Sequence, residues 1–284
     1  MVSQSSHRSH RLAIGIDIGG TGIKGGIVDL KKGKLVGERF RIPTPQPATP
    51  EAVAATVREV VAELSNRADA PSADAPVGVT FPSIVVDGVT LSAANVDKAW
   101  IGTDADALFS RVLGRPVHLM NDADAAGLAE ARYGAGRDTE GVVLTITLGT
   151  GIGSALVCDG RLVPNTELGH LQMNGADAES QASASARERL ELSWEEYAAR
   201  LQQYFSHLEF IFTPRLFIVG GGISKRSEDF LPQLNLKTPI RPAQLKNNAG
   251  IVGAAHGAAV QEKAASKAAG KHSADHHEGA DVLA

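Results

Sequence analysis

Leu12-Ala-Ile-Gly-Ile-Asp17-Ile-Gly-Gly-Thr-Gly-Ile-Lys24 starts as an apolar run of strand length and then breaks into glycines at 19, 20, 22, 25 and 26. Ile27-Val28-Asp29-Leu30 follows, then a Lys31-Lys32-Gly33-Lys34 turn and Leu35-Val36. Apolar runs punctuated by glycine in this way predict an antiparallel meander of three strands. The same order returns further on. Val142 to Leu148 is apolar, Gly149, Gly151 and Gly153 make the turn, Ala155 to Cys158 is the second strand, and Asp159-Gly160 leads into Arg161-Leu162-Val163. Two such units at domain-length separation predict a duplicated α/β domain.

The segments between and after the meanders are consistent with that reading. Thr49-Pro50-Glu51 is a helix start, and Val53, Val57, Val60, Val61 and Leu64 form one helical stripe. Val77 to Phe81 reads as a strand, Ile84 to Leu91 as a hairpin around Asp87-Gly88, and residues 104–113 as a short helix. A strand over Pro116–Met120 hands over to a helix over 122–133 that stops at Gly134. Helices are expected over 181–210, a strand over Arg215–Val219 running into Gly220-Gly221-Gly222, and a last helix over 249–262. The domains are therefore expected at 11–119, completed by the 249–262 helix, and at 120–248. Residues 1–10 and 263–284, rich in Ser, His, Ala and Lys, are expected to be disordered.

The chain has 284 residues, 28 Lys and Arg against 32 Asp and Glu, and one cysteine, Cys158. A net charge of −4 argues against nucleic acid or a membrane surface as the partner. A single cysteine excludes an intramolecular disulfide framework. With no apolar run long enough to span a bilayer and no signal-peptide core, the expected location is the cytoplasm.

Gly20-Thr-Gly22-Ile-Lys-Gly25 matches a dinucleotide fingerprint literally, but that fingerprint needs a helix after the glycines and an acid further on. Here a strand and a turn follow, and no GxxxxGK[ST] occurs at either glycine turn. A glycine turn between two strands can still offer bare backbone N–H groups to phosphate oxygens. Thr21, Thr147, Thr150 and Ser154 add hydroxyls. Asp17 beside such a site suits Mg2+ held through water, and Lys24 offsets donor charge. The competing readings are a capping Asp and a solvated Lys.

Asp17-Ile-Gly-Gly-Thr-Gly-Ile-Lys24, Leu148-Gly-Thr-Gly-Ile-Gly153 and Ile218-Val-Gly-Gly-Gly-Ile223 resemble the two phosphate segments and the adenosine segment of the actin/hexokinase/Hsp70 superfamily. Asn121-Asp122-Ala123 and Glu167-Leu-Gly-His170 are similar to motifs of the ROK sugar kinases. The resemblance spans residues 11–262 and implies two actin-like, ribonuclease H-like domains with a cleft between them. It further implies Gly19, Gly20, Thr21, Gly22, Lys24, Gly149, Thr150 and Gly151 at the donor phosphates, with Gly220, Gly221 and Gly222 at the adenosine. Asp122 becomes the expected catalytic base, against its plain reading as a helix N-cap. Asn121, Asn95, Glu167, His170 and Glu179 become sugar contacts, with Ser83 and Asp97 as further candidates. Many ROK members follow the histidine with a cysteine cluster that holds zinc. Residues 171–185 contain no cysteine, so no zinc is expected.

The zinc-less pattern, Gly22-Ile-Lys-Gly25 and Gly169-His-Leu-Gln-Met-Asn174 resemble the ROK glucokinases that use polyphosphate. This implies inorganic polyphosphate as first donor, ATP as second, Mg2+, and glucose as acceptor, with mannose left open. Lys225, Arg226, Lys237, Arg241 and Lys246, set against Glu228 and Asp229, are the expected basic track for a long anion. The rival readings are an ATP-dependent hexose or N-acetylhexosamine kinase, a filament subunit, and a sugar-sensing regulator. That last would be expected to carry a helix-turn-helix domain before Leu12. Monomer and homodimer both remain open.

Overall fold

The fold is taken from a computed structural model that describes residues 12–93 and 96–278, with side chains described up to residue 267. In chain order the first unit comprises β1 (Leu12–Gly19), β2 (Gly22–Asp29), β3 (Lys34–Ile42), α1 (Pro50–Ser65), β4 (Val77–Phe81), β5 (Val85–Val86), β6 (Val89–Thr90), α2 (Ala105–Leu113) and β7 (Val117–Asn121). Then come α3 (Asp122–Tyr133), β8 (Val142–Leu148), β9 (Ile152–Cys158), β10 (Arg161–Val163), β11 (Gln172–Met173) and β12 (Ala176–Asp177). The chain continues with α4 (Ala178–Ala182), α5 (Ala184–Arg189), α6 (Trp194–Phe212), β13 (Leu216–Gly220), β14 (Ile240–Pro242) and α7 (Ala249–Glu278).

The duplication predicted from the glycine turns is present in the sheets. One has the order β3-β2-β1-β4-β7 and the other β10-β9-β8-β13-β14. In each, a three-stranded antiparallel meander is followed by two parallel strands. Parallel pairing needs a crossover, and the helices between the strands supply it. The α1 stripe is buried as its spacing requires, with Val53, Val57, Val60 and Leu64 packed under Ile14, Ile16 and Phe81. Thr49 caps that helix from its side chain. In the second unit Tyr197, Tyr204, Phe205 and Phe217 form the corresponding core.

Helix α7 covers β1, β4 and β7 and packs along α3. Its approach is close because two glycines face it. Gly15 of β1 and Gly78 of β4 are paired in register. A Cβ on either would overlap backbone of α7, at the carbonyls of Ile251 and Ala254.

The helix also corrects the sequence-based reading, which ends it at 262 and makes 263–284 disordered. The backbone stays helical to Glu278. Ala and Lys are among the strongest helix formers, and they make up half of residues 263–278. Residues 1–11 and 279–284 lie outside the described residues, as does the expected Asn95. Among the described residues, no helix is long and apolar enough to cross a membrane.

Candidate active site

The β1–β2 hairpin closes tightly, with Gly19 paired to Gly22 and only Gly20-Thr21 between them, both exposed. Thr44 Oγ1 donates to the Gly19 carbonyl from behind. In front lies a side chain that the sequence reading did not single out. Arg41, from β3, donates to the Thr21 carbonyl at 2.6 Å. Its guanidinium sits so close to Gly22 that any Cβ there would collide with it. Arg41 stands opposite Lys24 in the β2–β3 register, so two cations flank one turn. Lys24 Nζ reaches Asp17 Oδ2 at 3.3 Å, while Thr80 donates to Asp17 Oδ1 at 3.1 Å. Gly250, in the first turn of α7, packs on the same carboxylate.

The β8–β9 hairpin is built alike. Leu148 pairs with Ile152, and Gly149 N–H closes on the Gly151 carbonyl. Ser185 holds it from α5, its N–H on the Gly149 carbonyl and its hydroxyl on Thr150. Glu179, expected at the sugar, sits against this turn. Its Oε2 accepts the Ile152 N–H at 3.2 Å and fills the space beside Gly151. Ser154, expected beside phosphate, is buried and holds the 166–168 segment through Thr166 and the Leu168 N–H. Gly220, Gly221 and Gly222 border a hollow with Thr147, Lys225 and Lys246. Of the expected basic track, only those two lysines line this hollow. Arg226 pairs with Asp229 and faces the Trp194 ring.

Asp122 stands where β7 hands over to α3. The helix cap is Asn121, not Asp122: Asn121 Oδ1 accepts the N–H groups of Ala123 and Asp124 at 2.8 and 3.1 Å. Its Nδ2 donates to the Ser83 carbonyl. Ser83 itself is buried and bonded to Ser92, so it clamps its own loop. Asp97 caps the short turn at Lys98–Trp100.

The Asp122 carboxyl lies at the same helix start, its Oδ1 accepting the Ala123 N–H at 2.8 Å. It touches solvent yet is surrounded by protein at longer range, as a group on a cleft floor is. Lost solvation pushes its pKa up to about 6, and the negative charges of Asp17 and Glu167 push the same way. Those two carboxylates come from opposite units. Asp122 is therefore where the two halves of the molecule meet electrostatically.

Glu167 and His170 are both exposed on the second unit. His170 Nδ1 lies 2.9 Å from Asp177 Oδ2. That bond raises the imidazole pKa, and the charges of Glu179 and Glu167 add to the effect. Behind Asp122, Asp124 is buried. Its Oδ2 accepts the Asn165 N–H at 2.8 Å, while its Oδ1 has no hydrogen-bond partner among the described residues. Burial lifts this carboxyl to about 7.

Twin sheets, a glycine hairpin on each and an aspartate between them define a two-domain phosphotransferase of the actin-like class. The ROK family profile matches residues 13–186, more than half of the chain, and the chain belongs to that family. It is 49% identical over 248 residues to the polyphosphate glucokinase of Mycobacterium tuberculosis strain H37Rv, covering 87% of this chain and 91% of that one. The inorganic polyphosphate/ATP-glucomannokinase structure from Arthrobacter sp. strain KM matches with TM-score 0.83 at 69% identity, over 89% of this chain and 100% of that chain. A ROK glucokinase structure from Streptomyces griseus, in complex with glucose and AMPPNP, matches with TM-score 0.73 at 27% identity, over 87% of this chain and 99% of that chain.

Proposed function

We propose that the protein is a hexokinase that moves a phosphoryl group from inorganic polyphosphate, with ATP as second donor, to the 6-hydroxyl of glucose. Mannose is a second acceptor, in keeping with the glucomannokinase relative. The observation that carries this reading is Asp122, at the start of α3 beside the Asn121 cap, where the charges of Asp17 on one hairpin-bearing unit and Glu167 on the other both act on it.

In the reaction, Asp122 takes the proton of the 6-hydroxyl as its oxygen attacks the terminal phosphorus. The bond to the bridging oxygen breaks, and the shortened polyphosphate or ADP leaves. The turns at Gly20-Thr21 and Gly149–Gly151 hold the donor oxygens through backbone N–H groups, with Lys24 and Arg41 beside them as cations. Glu167 and His170 bind sugar hydroxyls. Asn121 serves the site by capping α3, and Glu179 by bracing the second turn.

Mg2+ fits Asp17 as an ion held through water and donor oxygens. Among the described residues no three His, Cys, Asp or Glu side chains are grouped to cage a metal, and Mg2+ ordinarily keeps waters and substrate phosphates. Bound there it would neutralise charge on the donor.

Long-chain polyphosphate and ATP, each with Mg2+ and glucose, are the decisive assay. Glucose 6-phosphate should form with both, faster with polyphosphate. No turnover with polyphosphate would remove it as a donor and leave an ATP kinase.

Two further outcomes are expected. Arg41→Gln should raise the KM for polyphosphate about tenfold, the loss of one charge-assisted contact, and leave the KM for glucose within twofold; an unchanged donor KM would take Arg41 out of the donor site. Because Asp122 must be ionised to accept a proton, kcat/KM for glucose should fall tenfold per pH unit well below about 6 and flatten above it. Asp17 and Glu167 face the same carboxyl and hold its titration high. An acid limb centred near the ordinary aspartate value would show a well-solvated base.

A further inference from the structure

Asn165 lies between β10 and Glu167, in the second unit, and contacts the first. Its Oδ1 accepts the Val85 N–H at 3.0 Å and its Nδ2 donates to the Val85 carbonyl at 2.8 Å. A single side-chain amide thus satisfies both backbone groups of one residue, as a neighbouring strand would. Val85 follows the Ser83 loop, whose carbonyl takes the Asn121 side chain. Asn165 has φ +58°, a left-handed conformation that asparagine tolerates better than most residues. Its backbone N–H is held at 2.8 Å by Asp124, two residues beyond Asp122 on α3. Two residues further along the chain is Glu167, the expected sugar ligand.

We infer that Asn165 is a latch across the sugar end of the cleft: its amide ties the Glu167–His170 segment to the opposite unit when the cleft is closed, and so sets affinity for the hexose. The inference rests on the hexokinase reading. A sugar entering between the units requires the Val85 bonds to yield, and their return favours the form in which Glu167 and His170 face Asp122. Asp124 fixes where the latch residue stands. Asn165 touches no reacting atom; it is a positioning residue. Its loss should therefore weaken sugar binding and leave the donor hairpins, held by Arg41 on one side and Ser185 on the other, as they are.

The variant Asn165→Gly keeps a residue at ease with positive φ and keeps the N–H bonded to Asp124, but removes the clasp. Two ordinary hydrogen bonds correspond to roughly a tenfold to hundredfold change in affinity. The KM for glucose should rise at least about tenfold on that basis, with kcat at saturating glucose within about threefold and the KM for polyphosphate within about twofold of wild type. A folded Asn165→Gly protein whose glucose KM stays within about twofold of wild type overturns the latch, as does a fall in kcat or melting temperature with no change in glucose KM. Should that variant fail to fold, Asn165→Asp decides by the same criteria. It keeps the acceptor for Val85 N–H but sets a carboxylate against the Val85 carbonyl, so its glucose KM should also rise. Wild-type enzyme that does not phosphorylate glucose at all would instead refute the hexokinase reading.

Discussion

Asp122→Asn should lower kcat by about a hundredfold to ten-thousandfold, the usual worth of a positioned general base, with glucose binding retained. The substitution keeps size and shape, and asparagine can still accept the Ala123 N–H that the aspartate accepts at 2.8 Å. What it loses is the ability to take a proton. Sugar binding, followed by calorimetry without donor, should stay near wild type or tighten slightly, because a negative charge is removed from beside Asp17 and Glu167. A kcat within threefold of wild type would take Asp122 out of the base role. Asp124 is the nearest carboxylate to it in sequence, but it is buried and committed to Asn165.

The second large effect falls on stability. Gly78→Ala should cost more than about 3 kcal/mol, at the upper end of what overpacking does, and Gly15→Ala should behave alike. In both cases the new methyl group meets a backbone carbonyl of α7, which cannot turn aside as a side-chain tip can. The helix must move away from β1 and β4, and its contacts with α3 go with it. Gly20→Ala is the internal control: nothing stands within 4 Å of a Cβ there, so the folded state should lose little stability. Thermal unfolding of the three variants compares them directly. A melting temperature for Gly78→Ala within about 2 °C of wild type would mean that α7 does not lie against the sheet as described, since 1 kcal/mol moves a domain of this size by roughly 2–4 °C.

Much of the architecture was legible because its two halves repeat a local signal. Strand, glycine turn, strand, polar turn and strand can be read from neighbours in the chain, and both meanders appeared where that order occurs. The place of Asp122 where a strand gives way to a helix was legible for a similar reason, while its role as base was drawn from the ROK resemblance. The residues that were missed act over distance. Arg41 reaches the first glycine turn only through the β2–β3 pairing, and a register shift between Gly25 and Ile27 lies along the way. Asn165 finds its partner, Val85, on the other unit.

Two sugar ligands expected from the resemblance also make bonds within the protein. Asn121 caps α3, a role the sequence reading gave to Asp122, and Glu179 accepts the Ile152 N–H beside Gly151. The end of α7 was misjudged because Ala- and Lys-rich composition suits both a tail and a helix, and propensity alone does not separate them.

The helix that shields Gly15 and Gly78 is also the part of the described chain that leaves the ribosome last. Until it emerges, the first sheet has an uncovered apolar face that no earlier element can close. The nascent protein must therefore carry an unfinished half for most of its synthesis, a window in which holding chaperones have a surface to grip.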